Sequence, residues 1–148
     1  MKISVASDHA GFEQKQQIVS YLQELGHEVI DRGPDTDERV DYPDYAVKVA
    51  MDVSFNRADY GVLVCGTGIG MSIFANKIVR VRAANVTIPE FAELARAHND
   101  ANVVCLSGRF IDIDTNKKIV DIFLSTEFEG GRHANRLAKL LPLERTGA

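Results

Sequence analysis

The sequence predicts an α/β protein, a Rossmann-like three-layer α/β/α sandwich in which a five-stranded parallel sheet lies between two layers of helices. Three observations lead there. Short, almost wholly apolar runs alternate with amphipathic helical stretches through most of the chain, the pattern of strands buried on both faces. Five such runs each lead towards a helix. The length, 148 residues, fits one domain spanning 1–148, large enough to bury a core without cross-links.

The elements follow in order. "KISVAS" is the first strand and "DHAGF" the polar loop behind it; "EQKQQIVSYLQEL" then sets Ile18, Val19, Leu22 and Leu25 at helical spacing and stops at Gly26. "HEVIDRG" is the second strand and "PDTDERVDYPD" a loop. "YAVKVAMDVSF" is a helix with Pro43 and Asp44 at its start. "YGVLVCG" is a strand, "GIGMSIFANK" a turn into a helix, "VRAANV" a strand and "PEFAELARAH" a helix opened by proline. "NVVCLSG" is the fifth strand. "DTNKKIVDIFLSTEF" reads as a long helix, "EGG" as a break and "RHANRLAKLL" as one final helix over 132–141.

Composition narrows the function. A net charge of -4 argues against a broad nucleic-acid-binding surface while leaving room for one anionic ligand. No apolar run reaches the roughly 20 residues a membrane span needs. The opening "MKISVASDHAGF" turns polar too soon for a secretory leader, and Cys65 and Cys105 stand in separate apolar runs; a reducing cytoplasm is the expected setting. The four histidines and two cysteines never fall at ligand-like spacing, so no metal is expected.

In open parallel sheets, ligands gather beyond the carboxyl ends of the strands. That rule collects Ser7, Asp8 and His9, then Cys65 to Gly70, Thr87, and Ser107 to Arg109 on one rim. Cys105, inside its strand, reads as core packing. Cys65 abuts Gly66 at a strand end, facing a turn whose amides lower a thiol pKa; a reactive thiol and a small packing residue both fit that position. Gly66, Gly68 and Gly70 alternate in "GTGIG", which lets N–H groups converge on an anion, or merely makes a tight turn. The turn lacks the Gly-Lys-Ser/Thr ending of a P-loop and the spacing of a dinucleotide fingerprint, and the next strand ends without a ribose-binding acid.

His9 and His98, at the ends of a strand and a helix, are both expected to reach the rim, although His98 also suits a helix cap. His133 reads as solvated or interfacial. Arg132 and Arg136, one helical turn apart, suit either a phosphate or a charged outer face. Arg109, just past the fifth strand, is better placed for a ligand. Tyr42 is expected to wall the cleft.

Together, "SDHAGF", "DYPDYA", "CGTGIGMSI", "ANK", "RAHND", "SGR" and "EGGRHANR" resemble, in order and spacing, the type B ribose-5-phosphate isomerases and related sugar-phosphate isomerases. The likeness covers nearly the whole chain. It implies an α/β/α fold, no metal or other cofactor, and interconversion of ribose 5-phosphate and ribulose 5-phosphate through an enediolate. It further implies a homodimer or tetramer whose active site lies at the subunit interface, with helix 132–141 there. Cys65 corresponds to the base, Thr67 to its neighbour in the site and His98 to the residue that opens the sugar ring. Asp8 and Asn99 correspond to sugar contacts. Gly66, Thr67, Gly68, Ile69 and Gly70 correspond to the loop that holds the enediolate oxygens. His9, Arg109, Arg132 and Arg136 correspond to phosphate and substrate contacts. Isomerisation of a hexose 6-phosphate such as allose or galactose 6-phosphate, a non-catalytic sugar-phosphate sensor, and an S-adenosylmethionine-dependent methyltransferase are the alternatives.

Overall fold

The computed structural model describes residues 1–146. Five parallel strands, β1 (Lys2–Ser7), β2 (Glu28–Asp31), β3 (Tyr60–Cys65), β4 (Ala83–Asn85) and β5 (Val103–Ser107), form one sheet in the order β2-β1-β3-β5-β4. The helices are α1 (Phe12–Glu24), α2 (Tyr42–Ser54), α3 (Ile69–Ala75), α4 (Pro89–Ala97), α5 (Ile113–Ser125), α6 (Arg132–Leu137) and α7 (Leu140–Thr146).

Period-two alternation along the strands splits the core into two layers. Ile3, Val5, Val62, Val64, Val104 and Leu106 pack with α1, α4 and α5, while Ala6, Leu63, Cys65, Val103 and Cys105 pack with α2 and α3. The faces follow from crossover handedness. The steps from β1 to β2 and from β4 to β5 run one way along the sheet, and those from β2 to β3 and from β3 to β4 run the other, so right-handed connections put α1 and α4 on one face and α2 and α3 on the opposite one. The chain leaves β1 and β3 towards opposite faces, which opens a crevice between their carboxyl ends.

Two readings are corrected. The final helix of 132–141 is divided: α6 ends at Leu137 and α7 begins at Leu140. Pro142 lacks an N–H and its ring would strike the carbonyl of Ala138, so the helix cannot run through that turn. Leu25 lies past the end of α1 and is half exposed, whereas Lys15, on the inward face of the same helix, is fully buried.

Candidate active site

The three loops beyond β1, β3 and β5 are stitched together by main-chain bonds. Asp8 N–H donates to the Val64 carbonyl (3.1 Å), Gly108 N–H to Cys65 (2.8 Å) and Arg109 N–H to Gly66 (3.2 Å). Ser107 Oγ donates to the Gly66 carbonyl (2.7 Å) and accepts from Phe110 N–H (3.1 Å). Behind them, a side-chain amide pair supports the β5 loop. Asn116 Nδ2 donates to Gln14 Oε1 (2.6 Å) and the Ser107 carbonyl (2.9 Å), and Gln14 Nε2 donates to the Ile111 carbonyl (2.8 Å). Neither amide carried a signal in the sequence beyond its place on an amphipathic helix.

Cys65 is buried at the end of β3, and Gly68 N–H donates to its Sγ at 3.1 Å. The first group served by the glycine turn is therefore the Cys65 sulfur itself. Gly68 adopts φ +83°, and a side chain there would collide with Asn85, whose Nδ2 donates to the carbonyls of Thr67 (3.1 Å) and Cys105 (3.2 Å). Asn85 is a support that sequence reading passed over. Ile69 N–H donates to Thr67 Oγ1 (3.1 Å), which leaves the exposed Thr67 hydroxyl hydrogen free to face solvent or a ligand. Cys105 is different: burial above all, and then the neighbouring Cys65, push its thiol far above the ordinary range, so it stays protonated and inert.

Arg109 lies across Gly66, whose missing Cβ would come within 3.1 Å of Nη1. Tyr42 lies across Gly70 in the same way, 2.6 Å from where a Cβ would stand, and meets Phe74 edge-on at 5.6 Å. Asp8 Oδ1 accepts Gly11 N–H (3.0 Å), and His9 Nδ1 sits 3.2 Å from both the N–H and the carbonyl of Val40. Asp8, His9, Arg39, Tyr42 and Arg109 line an open cleft of about 580 Å³, of the size small-molecule sites have.

His98 does not reach this rim in its own chain, contrary to expectation, and Asn99 stays beside it. Helix α4 starts beyond the carboxyl end of β4 and runs back antiparallel to the strands, so its C-terminal His98 lies by the amino edge, where Asn102 leads into β5. The five residues of β5 separate that edge from the Cys65 rim by about 16 Å at 3.3 Å per residue.

There His98 has its own surroundings. Its ring stacks on His133 (centroids 4.2 Å apart, planes 13° from parallel), and its Nε2 is 3.6 Å from Glu129 Oε1. Glu129 is pinned by its N–H to the Ala97 carbonyl (3.0 Å). His133 is buried rather than solvated. Arg132 and Arg136 follow on α6, exposed and without an ion pair among the described residues. The spacing of Glu129 and His133 around "EGGRH" could have marked the carboxylate, but its link to His98 is made only by folding.

The ligand atoms of His98, Glu129 and His133 lie within 4.8 Å of one another, close enough to invite a metal ion. As stacked, however, the two imidazoles hold their lone pairs in nearly parallel planes, and an ion bound about 2.0 Å from each nitrogen cannot lie in both. The arrangement is a stacked histidine pair with a carboxylate beside it.

A model of the ribose/galactose isomerase family matches residues 3–140. The chain is 45% identical over 143 residues to ribose-5-phosphate isomerase B of Escherichia coli K12, covering 97% of this chain and 96% of that one. It is similar to the solved structure of Clostridium thermocellum ribose-5-phosphate isomerase B, with a TM-score of 0.98, 44% identity and all of both chains covered. The Mycoplasma genitalium enzyme, solved with bound ribulose 5-phosphate, superposes with a TM-score of 0.94 at 46% identity, covering 98% of this chain and 97% of that one. A match of this length and depth assigns the chain, plainly, to the ribose/galactose isomerase family.

Proposed function

We propose that this protein interconverts ribose 5-phosphate and ribulose 5-phosphate, the reaction named for its relatives. The observation that carries the chemistry is the Gly68 N–H directed at Cys65 Sγ, on the loop that main-chain bonds tie to Arg109, which with His9 lines the neighbouring cleft. A carbon-bound proton next to a carbonyl is weakly acidic, so its removal needs both a positioned base and donors for the charge that develops on oxygen. The Cys65 thiolate takes the proton from C2 of the open-chain aldose and returns it to C1, while a second proton passes from O2 to O1. Thr67, its Oγ already accepting from Ile69, presents its O–H to the enediolate oxygens, together with amides of the Gly66–Gly70 loop. Asp8 contacts sugar hydroxyls. His9 and Arg109 bind substrate, and binding at the phosphate, remote from the reacting carbons, positions them over the sulfur. The assignment needs no metal or other cofactor.

His98, Asn99, Arg132 and Arg136 complete the site from a second copy of the chain, His98 opening the furanose, Asn99 contacting the sugar and the arginines holding phosphate. The reading is supported by their place at the opposite edge of their own sheet. It is also supported by exposed apolar side chains around the rim, among them Ile69, Ile73, Phe91 and Phe110, the last 76% exposed. Helix α6 and the start of α7 form part of that interface in a homodimer or tetramer. A thiolate base suits a reducing compartment such as the cytoplasm, and no helix among the described residues is long and apolar enough to cross a membrane.

Family membership displaces the methyltransferase alternative. Ribulose 5-phosphate formation by purified protein with a chelator present, run in parallel with allose and galactose 6-phosphates, tests the assignment. Turnover of the pentose is expected. Turnover of a hexose phosphate alone would move the assignment to the longer sugar, and binding without turnover would favour a sensor.

A further inference from the structure

One wall of the cleft hangs from a lysine that the reaction does not use. Lys15 has a side chain only 1% exposed, and its ammonium donates to both carboxylate oxygens of Asp31 (3.0 and 3.1 Å) and to the Pro34 carbonyl (2.9 Å). Asp31 Oδ1 also accepts Gly33 N–H (2.8 Å), and the Gly33 carbonyl accepts Ser7 N–H (3.0 Å). The ammonium thus fixes where the chain leaves β2 and ties that point to the end of β1.

From Pro34 the chain crosses the exposed residues 35–39 to Val40, which meets His9, and then to Tyr42, which covers Gly70. Among the described residues, the one hydrogen bond within 35–39 is Glu38 N–H to Thr36 Oγ1 at 3.4 Å. The segment is therefore held at its two ends, by Lys15 at the first and by His9 and α2 at the second. Burying an ion pair is a poor route to stability, because well-packed apolar groups do as well or better, so the lysine calls for another reason.

We infer that Lys15 is a positioning residue for substrate binding: by anchoring Pro34 it sets segment 34–41 so that Val40 orients His9 and Tyr42 stays over the glycine turn. The inference rests on the proposed role of His9 in holding substrate. Lys15→Met strands the Asp31 carboxylate, whereas Lys15→Met/Asp31→Asn removes that charge and still leaves the Pro34 carbonyl without its donor. In both variants KM for ribose 5-phosphate rises about tenfold while kcat stays within about twofold, and amide exchange across 35–41 quickens. A purely structural lysine predicts otherwise: the double variant recovers both Tm and wild-type KM, and that result overturns the inference. Amide exchange is read without substrate, so unchanged exchange at 35–41 also overturns it. Failure of the wild-type protein to isomerise the pentose would overturn the functional reading and leave the exchange test standing.

Discussion

The imidazole of His98 lies flat on that of His133, with ring centroids 4.2 Å apart. Two charged rings in that contact would repel, and the surroundings of His133 favour its neutral form. Burial first, then the charges of His98, Arg132 and Arg136, hold it below the usual histidine value of 6.5, against an opposing pull from Glu129. The unfolded chain therefore binds more protons as pH falls through this range, so the contribution is present above pH 6.5 and lost as pH drops through the lower folded value. Thermal melting of wild type should lose Tm as pH falls below 6.5, and His133→Asn should lose less over the same range. Parallel curves for the two proteins would rule out the coupling.

The two cysteines should separate cleanly on mutation. Removing a general base costs about a hundredfold to ten-thousandfold, so Cys65→Ala should lower kcat by roughly a thousandfold with the fold intact by circular dichroism. Cys105→Ala, at a position sealed in the sheet, should keep kcat near wild type and lower stability by about 1 kcal/mol in urea unfolding. A full-activity Cys65→Ala would end the thiolate assignment.

How much of this was legible follows from what a sequence encodes. The runs "VLVC" and "VVCL" identify central strands because both faces are buried, and the rim rule then places Asp8, His9, Cys65 and Arg109 on one edge, where Asp8, His9 and Arg109 line a cleft and the Cys65 loop is bonded to the loops beside it. Standing at a helix end close to β5 in sequence does not bring His98 to the rim. A helix joining two parallel strands must return to the amino edge, and applying that rule to α4 gives the observed position. Lys15 was invisible for another reason: a lysine in "EQKQQ" looks solvated, and its burial depends on Asp31 and the Pro34 carbonyl arriving from another part of the chain. The break between α6 and α7 was readable from Pro142, one turn after the position it disrupts.

Asp52 should anchor the side of the sheet away from the site. Its carboxylate is 1% exposed and accepts from Arg32 Nε and Nη2 (both 2.7 Å), Ser4 Oγ (2.7 Å) and Arg57 Nε (3.1 Å). Burial is the largest single influence and raises its pKa, but Arg32, Ser4 and Arg57 together outweigh it and hold the group below the usual carboxylate range. Asp52→Asn should cost about 2 kcal/mol at pH 7, less than a wholly buried pair would because Arg32 and Arg57 are 39% and 55% exposed. A depressed carboxyl contributes stability above its unfolded pKa and loses it as pH falls through the folded one, so urea unfolding should show the gap between the two proteins shrinking as pH falls below 3.8. An undiminished gap there would assign the cost to packing.

Subunit mixing tests the shared site most directly. If Cys65 of one chain works with His98, Arg132 and Arg136 of another, Cys65→Ala and His98→Asn each spoil both sites of a homodimer by different routes. A heterodimer of the two variants keeps one site whole, built from the Cys65 of the His98→Asn chain and the His98 of the Cys65→Ala chain. Its other site carries both lesions. Random assembly makes half of the dimers mixed, each with one working site of two, so co-expression should return about a quarter of wild-type activity from two nearly inactive parents. A site contained within one chain has no such route, since every chain in the mixture is defective, and activity would stay at the level of the parents. Differently tagged chains, purified over both tags, raise the expected value to about half and show that the recovered activity belongs to the mixed species. Mixed dimers no more active than their parents would leave His98 stranded at the amino edge and exclude it from the chemistry.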